Sequence, residues 1–211
     1  MSTQTRRRRP EARPDEILDA ALSVFAEQGF TAARVEDIAR RAGLSKGAVY
    51  LYFPSKEAML NALVEQSAGA LAKAAERLVA VGAPRDPEAA LRSVVFMMIS
   101  AMSDPDISAA PRLVLTEAHR FPDIAAFYRS QVLDTARRAI AGLVEDGVAS
   151  GTFRPVDTDM LMRCMGGPCL GHMMLASVFD FHPETLSEPA DIADALSDIL
   201  LYGLKPREEC A

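Results

Sequence analysis

The chain has 211 residues, of which 49% are hydrophobic and 25% charged, and its formal net charge is −6. This composition is typical of a globular protein that buries a core without help from disulfides or metal ions. Three cysteines are too few for a disulfide framework, and no apolar run is long enough to span a bilayer. The N-terminal arginines have no apolar stretch beside them, unlike a secretory signal. We therefore expect a cytoplasmic protein with no membrane contact.

The net charge conceals an uneven distribution along the chain. Residues 1–60 carry a charge of +2 and residues 61–211 carry −8, while residues 1–13 hold five arginines and one glutamate. A basic end on an acidic body is typical of an arm that meets nucleic acid. We expect residues 1–13 to form a disordered arm, in which Arg6–Arg9 either contact DNA or only keep the chain in solution.

Helical periodicity runs through the chain, and clean strand alternation is nearly absent from it. The first helix opens at Pro14-Asp15-Glu16, because proline and acidic residues favour a first turn, and it ends before Gly29. Ser45 and Ser55 are typical N-caps, and Pro54 separates the two helices that they begin. The pattern predicts an all-α protein of about nine helices, at 14–28, 35–42, 46–52, 55–81, 87–103, 107–120, 123–150, 157–180 and 189–202.

The second and third predicted helices form a helix-turn-helix candidate over residues 34–53, with Gly43 at the turn. Gly47 and Ala48 are small, which lets the second helix approach base edges closely. Lys46 can donate a hydrogen bond to phosphate or to guanine. Further donors to phosphate in or just after this unit are the side chains of Tyr50, Tyr52 and Lys56.

Residues 14–60 resemble the DNA-binding domain of the TetR family of transcriptional regulators. The resemblance rests on these segments: Ile17–Ala21, Phe25–Phe30, Asp37–Ala39, Ala42–Gly47, Tyr50, Tyr52–Phe53 and Ser55–Glu57. It implies an all-α homodimeric regulator, commonly a repressor that a small ligand releases from DNA, and not an enzyme. We expect residues 14–60 to form the DNA-binding domain and residues 61–205 to bind the ligand and dimerise.

The resemblance also implies roles for individual residues of the DNA-binding domain. Lys46, Gly47 and Ala48 would lie nearest the bases on a recognition helix over 45–52. The other members of the set would contact the backbone or orient the helix. The predicted DNA-binding residues are Arg34, Ser45, Lys46, Gly47, Ala48, Tyr50, Tyr52 and Lys56.

The region after residue 60 is predicted to hold an effector. Eight of the ten methionines lie beyond residue 96, and methionine either fills a core or lines an adaptable lipophilic pocket. The helix at 87–103 is apolar nearly all round, which predicts a central position. Residues 112–128 are similar to the effector domain of one TetR subgroup, and Arg112 or Glu117 is a candidate polar group. The predicted pocket residues are Phe96, Met98, Met102, Leu113, Glu117, Met165 and His172.

The last two predicted helices, 157–180 and 189–202, are the candidates for dimerisation. Apolar residues repeat on one face of the second, and the TetR resemblance implies the same role. A two-fold dimer would present its recognition helices about 34–36 Å apart to a palindromic operator.

Other interpretations of the sequence are weaker. Gly43-Leu44-Ser45-Lys46-Gly47 matches the G-x-S-x-G pattern of hydrolases, but that pattern requires a strand before the serine. Cys164 and Cys169 are separated by four residues, unlike zinc pairs or redox motifs, and the three histidines are dispersed. We predict no catalytic residue, metal or cofactor. The rivals to a DNA-binding regulator are a hydrolase that uses Ser45 and a helical adaptor that never contacts DNA.

Overall fold

A computed structural model describes residues 13–181 and 188–205, and every regular element within these ranges is helical. Nearly all of the predicted basic arm, including Arg6–Arg9, lies outside the described residues. The described part contains nine continuous helices, which confirms the predicted all-α architecture. They are α1 (Arg13–Gln28), α2 (Val35–Arg41), α3 (Lys46–Tyr50), α4 (Lys56–Val64, Glu65–Gly69 and Ala70–Gly82), α5 (Pro87–Ser103), α6 (Pro105–Glu117), α7 (Pro122–Tyr128, Arg129–Leu133 and Asp134–Ala149), α8 (Thr158–Phe179) and α9 (Pro189–Leu204).

The helix ends follow from local side-chain chemistry. The hydroxyl of Ser45 accepts a hydrogen bond from the backbone N–H of Ala48 at 3.2 Å, and Ser55 caps α4 in the same way. Each serine satisfies a backbone donor that has no partner inside its helix. Gly29 and Gly43 have φ of +77° and +67°, a conformation that suits glycine, and they turn the chain after α1 and α2. The predicted caps and breaks are therefore confirmed.

Two of the long helices contain a π-helical turn that the sequence did not predict. Residues Glu65–Gly69 of α4 and Arg129–Leu133 of α7 adopt this wider turn, and the two turns pack against each other. Single π turns inside α-helices often occur at functional sites. The hydrophobic periodicity continues across both segments, so nothing in the apolar pattern distinguished them from an ordinary helix.

The buried apolar residues form two cores. The first core holds α1, α2, α3 and the first half of α4, together with four residues of α6 and α7: Ala110, Val114, Ile124 and Val132. The second core joins the rest of α4 to α5, α7, α8 and α9. Helix α5 packs against α4, α6, α7, α8 and α9, which agrees with its predicted central position. The predicted domain boundary at residue 60 falls within α4.

Candidate functional site

The helix-turn-helix is held by the first core, from which α3 projects. Val49 is the fully buried anchor of α3. Tyr50 and Tyr52 remain 43% and 40% exposed, so each keeps part of its surface open to a partner. Arg34, Ser45, Lys46 and Gly47 are also exposed, and Ala48 is half-buried. The fold thus gathers seven of the eight predicted DNA-binding residues on the accessible side of one small unit.

Lys46 already has a partner on the protein. Its ammonium forms an ion pair with the Glu36 carboxylate of α2 and lies 5.7 Å from the centre of the Tyr50 ring. The hydrogen bond raises the pKa of Lys46 and lowers the pKa of Glu36. A contact between Lys46 and DNA would therefore compete with the ion pair to Glu36.

Lys56 occupies a different environment from the one we expected. Its ammonium donates to the backbone carbonyls of Phe30 and Thr31, at 2.7 and 3.0 Å, and to that of Ala33 at 3.4 Å. It also lies 4.7 Å from the centre of the Phe30 ring. An ammonium has three donors, and the α1–α2 loop uses all of them. In this arrangement Lys56 fixes the loop, and a phosphate contact by its side chain would require breaking these bonds.

The other cationic side chains of the helix-turn-helix also differ in whether they already have a partner on the protein. Arg40 pairs with Asp37, and Arg41 makes a bidentate contact to Glu27 with both N–O distances at 2.6 Å. Arg34 is exposed just before α2; its backbone carbonyl accepts hydrogen bonds from the N–H groups of Asp37 and Ile38, while within the described part of the chain its guanidinium makes no hydrogen bond or ion pair. Arg34 is consequently the cation that can meet a phosphate without first releasing another group.

Gly47 lies at the second position of α3, and a Cβ built there would meet nothing within 4 Å. The protein itself therefore has no steric need for glycine at this position. This contrasts with Gly147 of α7, where a Cβ would overlap the ring of Phe153. A side chain at Gly47 would therefore project into open space beside α3.

The segment from Gly43 to Gly47 does not form a nucleophile elbow. The chain enters it from α2, not from a strand, and the Ser45 hydroxyl caps α3. A hydrolase serine needs a strand before it and an adjacent base. The context that the hydrolase interpretation required is missing from this segment.

Helix α1 and the α1–α2 loop, which precede the helix-turn-helix, contact the rest of the protein through an aromatic junction. Phe30 packs edge-to-face against Phe25 of α1 and Phe121, at centroid distances of 5.0 Å in both cases. Beside this cluster, the Thr31 hydroxyl donates to the Glu117 carboxylate at 3.3 Å. Glu117 thus lies at the junction and not at the predicted pocket. The loop after α1 is fixed from both sides, by α4 and by the end of α6.

A cavity of about 130 Å³ lies between α4, α5, α7 and α8. Its wall is apolar and includes Met98 and Met102, two of the seven predicted pocket residues. Tyr128, which we did not predict, carries the phenol of this wall, and burial raises its pKa. Cys169 also lines the cavity, and burial raises the pKa of its thiol to about 11. A neutral thiol and one phenol suit an apolar occupant.

The other predicted pocket residues lie elsewhere. Phe96 is 49% exposed, and Met165 is fully buried in the second core. Leu113 packs against the first core. His172 makes a hydrogen bond with the Ser103 hydroxyl at 3.0 Å. Apolar character alone indicated that these residues were internal, but their direction around each helix decides whether they reach the cavity.

A second surface feature is a set of exposed apolar side chains on α8 and α9. Four large ones are more than half exposed: Met160, Phe179, Ile199 and Tyr202. Exposed apolar residues in such a concentration are typical of an interface. They lie in the two helices that we predicted for dimerisation.

Within residues 13–181 and 188–205, no group of three or more histidine, cysteine or acidic side chains is arranged to hold a metal ion. No helix in these ranges combines the length and apolar character needed to cross a membrane.

Comparisons with known proteins agree with this architecture. Residues 17–63 match the model of bacterial regulatory proteins of the tetR family, and residues 85–191 match the tetracyclin repressor-like C-terminal domain. The HTH-type transcriptional repressor KstR2 of Rhodococcus jostii is 32% identical over 152 residues, which cover 72% of this chain and 73% of KstR2.

Two solved structures have the same fold. The fatty acid degradation regulator FadR of Bacillus halodurans has a TM-score of 0.75 at 23% identity, over 96% of this chain and 100% of FadR. The regulator FadR of Bacillus subtilis, solved with stearoyl-CoA, has a TM-score of 0.69 at 20% identity, over 90% of this chain and 98% of FadR. With both family models and the KstR2 identity in agreement, the chain belongs to the tetR family of DNA-binding transcriptional regulators.

Proposed function

We propose that this regulator represses transcription as a homodimer on a palindromic operator. A lipophilic effector that binds in the cavity between α4, α5, α7 and α8 releases it from DNA. The relative KstR2 is a repressor, and members of the tetR family respond to small molecules. In the proposed complex, Arg34, Ser45, Lys46, Gly47, Ala48, Tyr50 and Tyr52 contact DNA. Lys56 supports the complex from within the protein, by fixing the α1–α2 loop.

The observation that carries the proposal is that one helix belongs to both sites. The first half of α4 lies in the first core with the helix-turn-helix. Further along the same helix, Ala68, Leu71, Ala72 and Ala75 form one wall of the cavity. A displacement of α4 at the cavity would therefore move α3 relative to the rest of the protein.

The size of the cavity makes such a displacement necessary. Pockets for ligands of drug size enclose about 300–1,000 Å³, and this cavity encloses about 130 Å³. A larger occupant has to move Met98 and Met102 and separate α4 from α5 and α7. The effector shifts the equilibrium only if it binds this widened state more tightly than the compact state.

The wall chemistry favours a long apolar effector. Leu71, Met98 and Met162 present flexible apolar side chains, and the Tyr128 phenol can orient a polar end. The structural neighbours include the ketosteroid transcriptional regulator KstR2 of Mycobacterium tuberculosis and the FadR regulator solved with stearoyl-CoA, which supports a fused-ring or acyl effector. We therefore propose a lipophilic carboxylic acid or its thioester.

The exposed apolar side chains of α8 and α9 support the proposed dimer. Ile199 and Tyr202 are 71% and 90% exposed, and burying both against a second copy would remove much apolar surface from water. Sedimentation velocity should give a dimer for the wild type. The double variant Ile199→Glu, Tyr202→Glu should sediment as a monomer, and a variant that remains dimeric would refute this interface.

Operator release tests the complete proposal. Genomic fragments bound by the protein define the operator, and fluorescence anisotropy then measures its Kd at several salt concentrations. Phosphate contacts predict that affinity falls steeply as salt rises. Stearoyl-CoA, free stearate and a steroid carboxylic acid are titrated into the complex, and we expect at least one to release DNA. No operator binding at about 50 mM salt, where such contacts are strongest, would refute repression at DNA.

A further inference from the structure

The most exposed large apolar side chain of the helix-turn-helix is that of Leu51. Leu51, which follows Tyr50 directly, is 84% exposed. Its neighbours Tyr50 and Tyr52 are about half as exposed, at 43% and 40%. Single exposed leucines are common on protein surfaces, so the direction in which Leu51 points decides whether it matters.

Helical geometry directs Leu51 away from the protein. Leu51 has φ −68° and ψ −25°, so it continues the turn of α3. With 3.6 residues per turn, successive side chains are about 100° apart. The buried side chain of Val49 marks the inward direction. The opposite direction falls between Gly47 and Leu51, about 20° from each, whereas Tyr50 and Ala48 are about 80° away from it.

Gly47 and Leu51 both lie on the side of α3 that faces away from the core, where Gly47 leaves a gap and Leu51 projects. They are one helical turn apart, and Gly47 offers no side chain beside the stem of Leu51. Lys46, whose ammonium pairs with Glu36, lies about 140° around the helix from Leu51 and does not cover it. When the recognition helix enters the major groove, Leu51 is therefore the large side chain directed most closely towards the groove floor.

An isobutyl group can interact favourably with only one feature of the groove floor. Base edges there present hydrogen-bond donors and acceptors, and thymine alone adds an apolar group, its C5-methyl. We propose that Leu51 is a specificity-determining residue that reads a thymine methyl in each half-site. This inference rests on the proposed binding of DNA through α3.

Replacement of thymine by deoxyuridine tests the contact, because it removes the methyl and keeps every hydrogen-bonding group. Each thymine of the operator is replaced in turn, symmetrically in both half-sites. For the wild type, one position should weaken binding by about fourfold per half-site, which corresponds to one buried methyl group. Leu51→Ala should bind the thymine operator more weakly and show no further loss at that position.

Leu115→Ala is the matched control, since Leu115 is an exposed leucine of α6, 45% exposed and outside the recognition helix. It should retain the full deoxyuridine penalty. If Leu51→Ala binds too weakly to measure, Leu51→Met keeps an apolar tip and should retain the penalty at the same position.

The outcomes separate the two proposals. A deoxyuridine penalty that is unchanged in Leu51→Ala, or absent at every thymine in the wild type, overturns the role of Leu51 while leaving DNA binding intact. A loss of the penalty in Leu51→Met also overturns it. Failure of the wild type to bind any operator overturns the proposed function instead.

Discussion

Replacing Gly47 by alanine should stabilise the free protein and weaken its binding to DNA. Glycine costs about 0.5–1 kcal/mol relative to alanine within a helix. Gly47 is the second residue of a five-residue helix, and the new Cβ would meet nothing within 4 Å. We expect the free energy of unfolding to rise by about 0.5 kcal/mol, because the difference between glycine and alanine is smaller near the end of a helix. The Tm should rise by about 1–2 °C.

The same methyl group should obstruct the DNA. Gly47 lies on the side of α3 that faces away from the core, where the backbone would approach the base edges most closely. Forcing one extra carbon into a packed contact costs about 1–3 kcal/mol. The affinity for the operator should therefore fall at least fivefold, and more if both half-sites are affected.

Two measurements on one variant check this reasoning. Differential scanning calorimetry gives the Tm of the free protein, and fluorescence anisotropy gives the Kd for the operator. Gly142→Ala is the control. Gly142 lies in α7, far along the chain from α3, and its new Cβ would make an ordinary 3.7 Å contact with Val79 of α4. It should be stabilised with an unchanged Kd. Wild-type affinity in Gly47→Ala would refute close approach of α3 to the bases.

Three further substitutions probe the ion pair, the cavity and the packing of α7. Glu36→Gln should raise operator affinity severalfold in anisotropy, because Lys46 no longer has to leave a carboxylate. Ala139→Leu should fill part of the cavity, and the effector concentration needed for release should rise while the operator Kd stays the same. Gly147→Ala should destabilise the protein by about 1–3 kcal/mol in urea unfolding, because its Cβ overlaps the buried Phe153 ring.

Each of these expectations has a matched control. Glu145→Gln changes the net charge equally but lies on α7, and an equal gain in affinity there would attribute the Glu36 effect to net charge alone. Ala141→Leu adds the same volume on α7 outside the cavity wall, and it should leave effector release unchanged. For Gly147→Ala, stability equal to that of Gly142→Ala would mean that Phe153 relaxes without cost.

Local chemistry made the helices and their ends predictable from the sequence. Ser45, Ser55 and Asp86 accept the hydrogen bonds expected of N-caps, and Gly29 and Gly43 adopt left-handed conformations at the expected turns. A cap depends on residues a few positions apart, so its pattern is complete in the sequence. The π turns of α4 and α7 were not predictable, since the apolar pattern continues across both segments unchanged.

The partners of charged and apolar side chains were less predictable. Lys56 and the carbonyls that it binds are more than twenty residues apart, so no local pattern revealed that its ammonium is occupied. For the cavity, Met98 and Met102 were identified from their apolar helix, but Met165 points into the second core. A few tens of degrees around the helix axis decide whether a side chain lines the cavity or lies in the core, and the amino-acid composition does not determine that angle.

The first core has a consequence for exchanging DNA-binding heads among relatives. Ala110, Val114, Ile124 and Val132 come from α6 and α7, yet they share one core with α1–α4. A graft limited to the segment matched by the tetR model, residues 17–63, would set a foreign surface against these four side chains. A chimera that transfers them together with the head keeps the core complete. In this protein the module that can be inherited or engineered as a unit is therefore discontinuous in sequence.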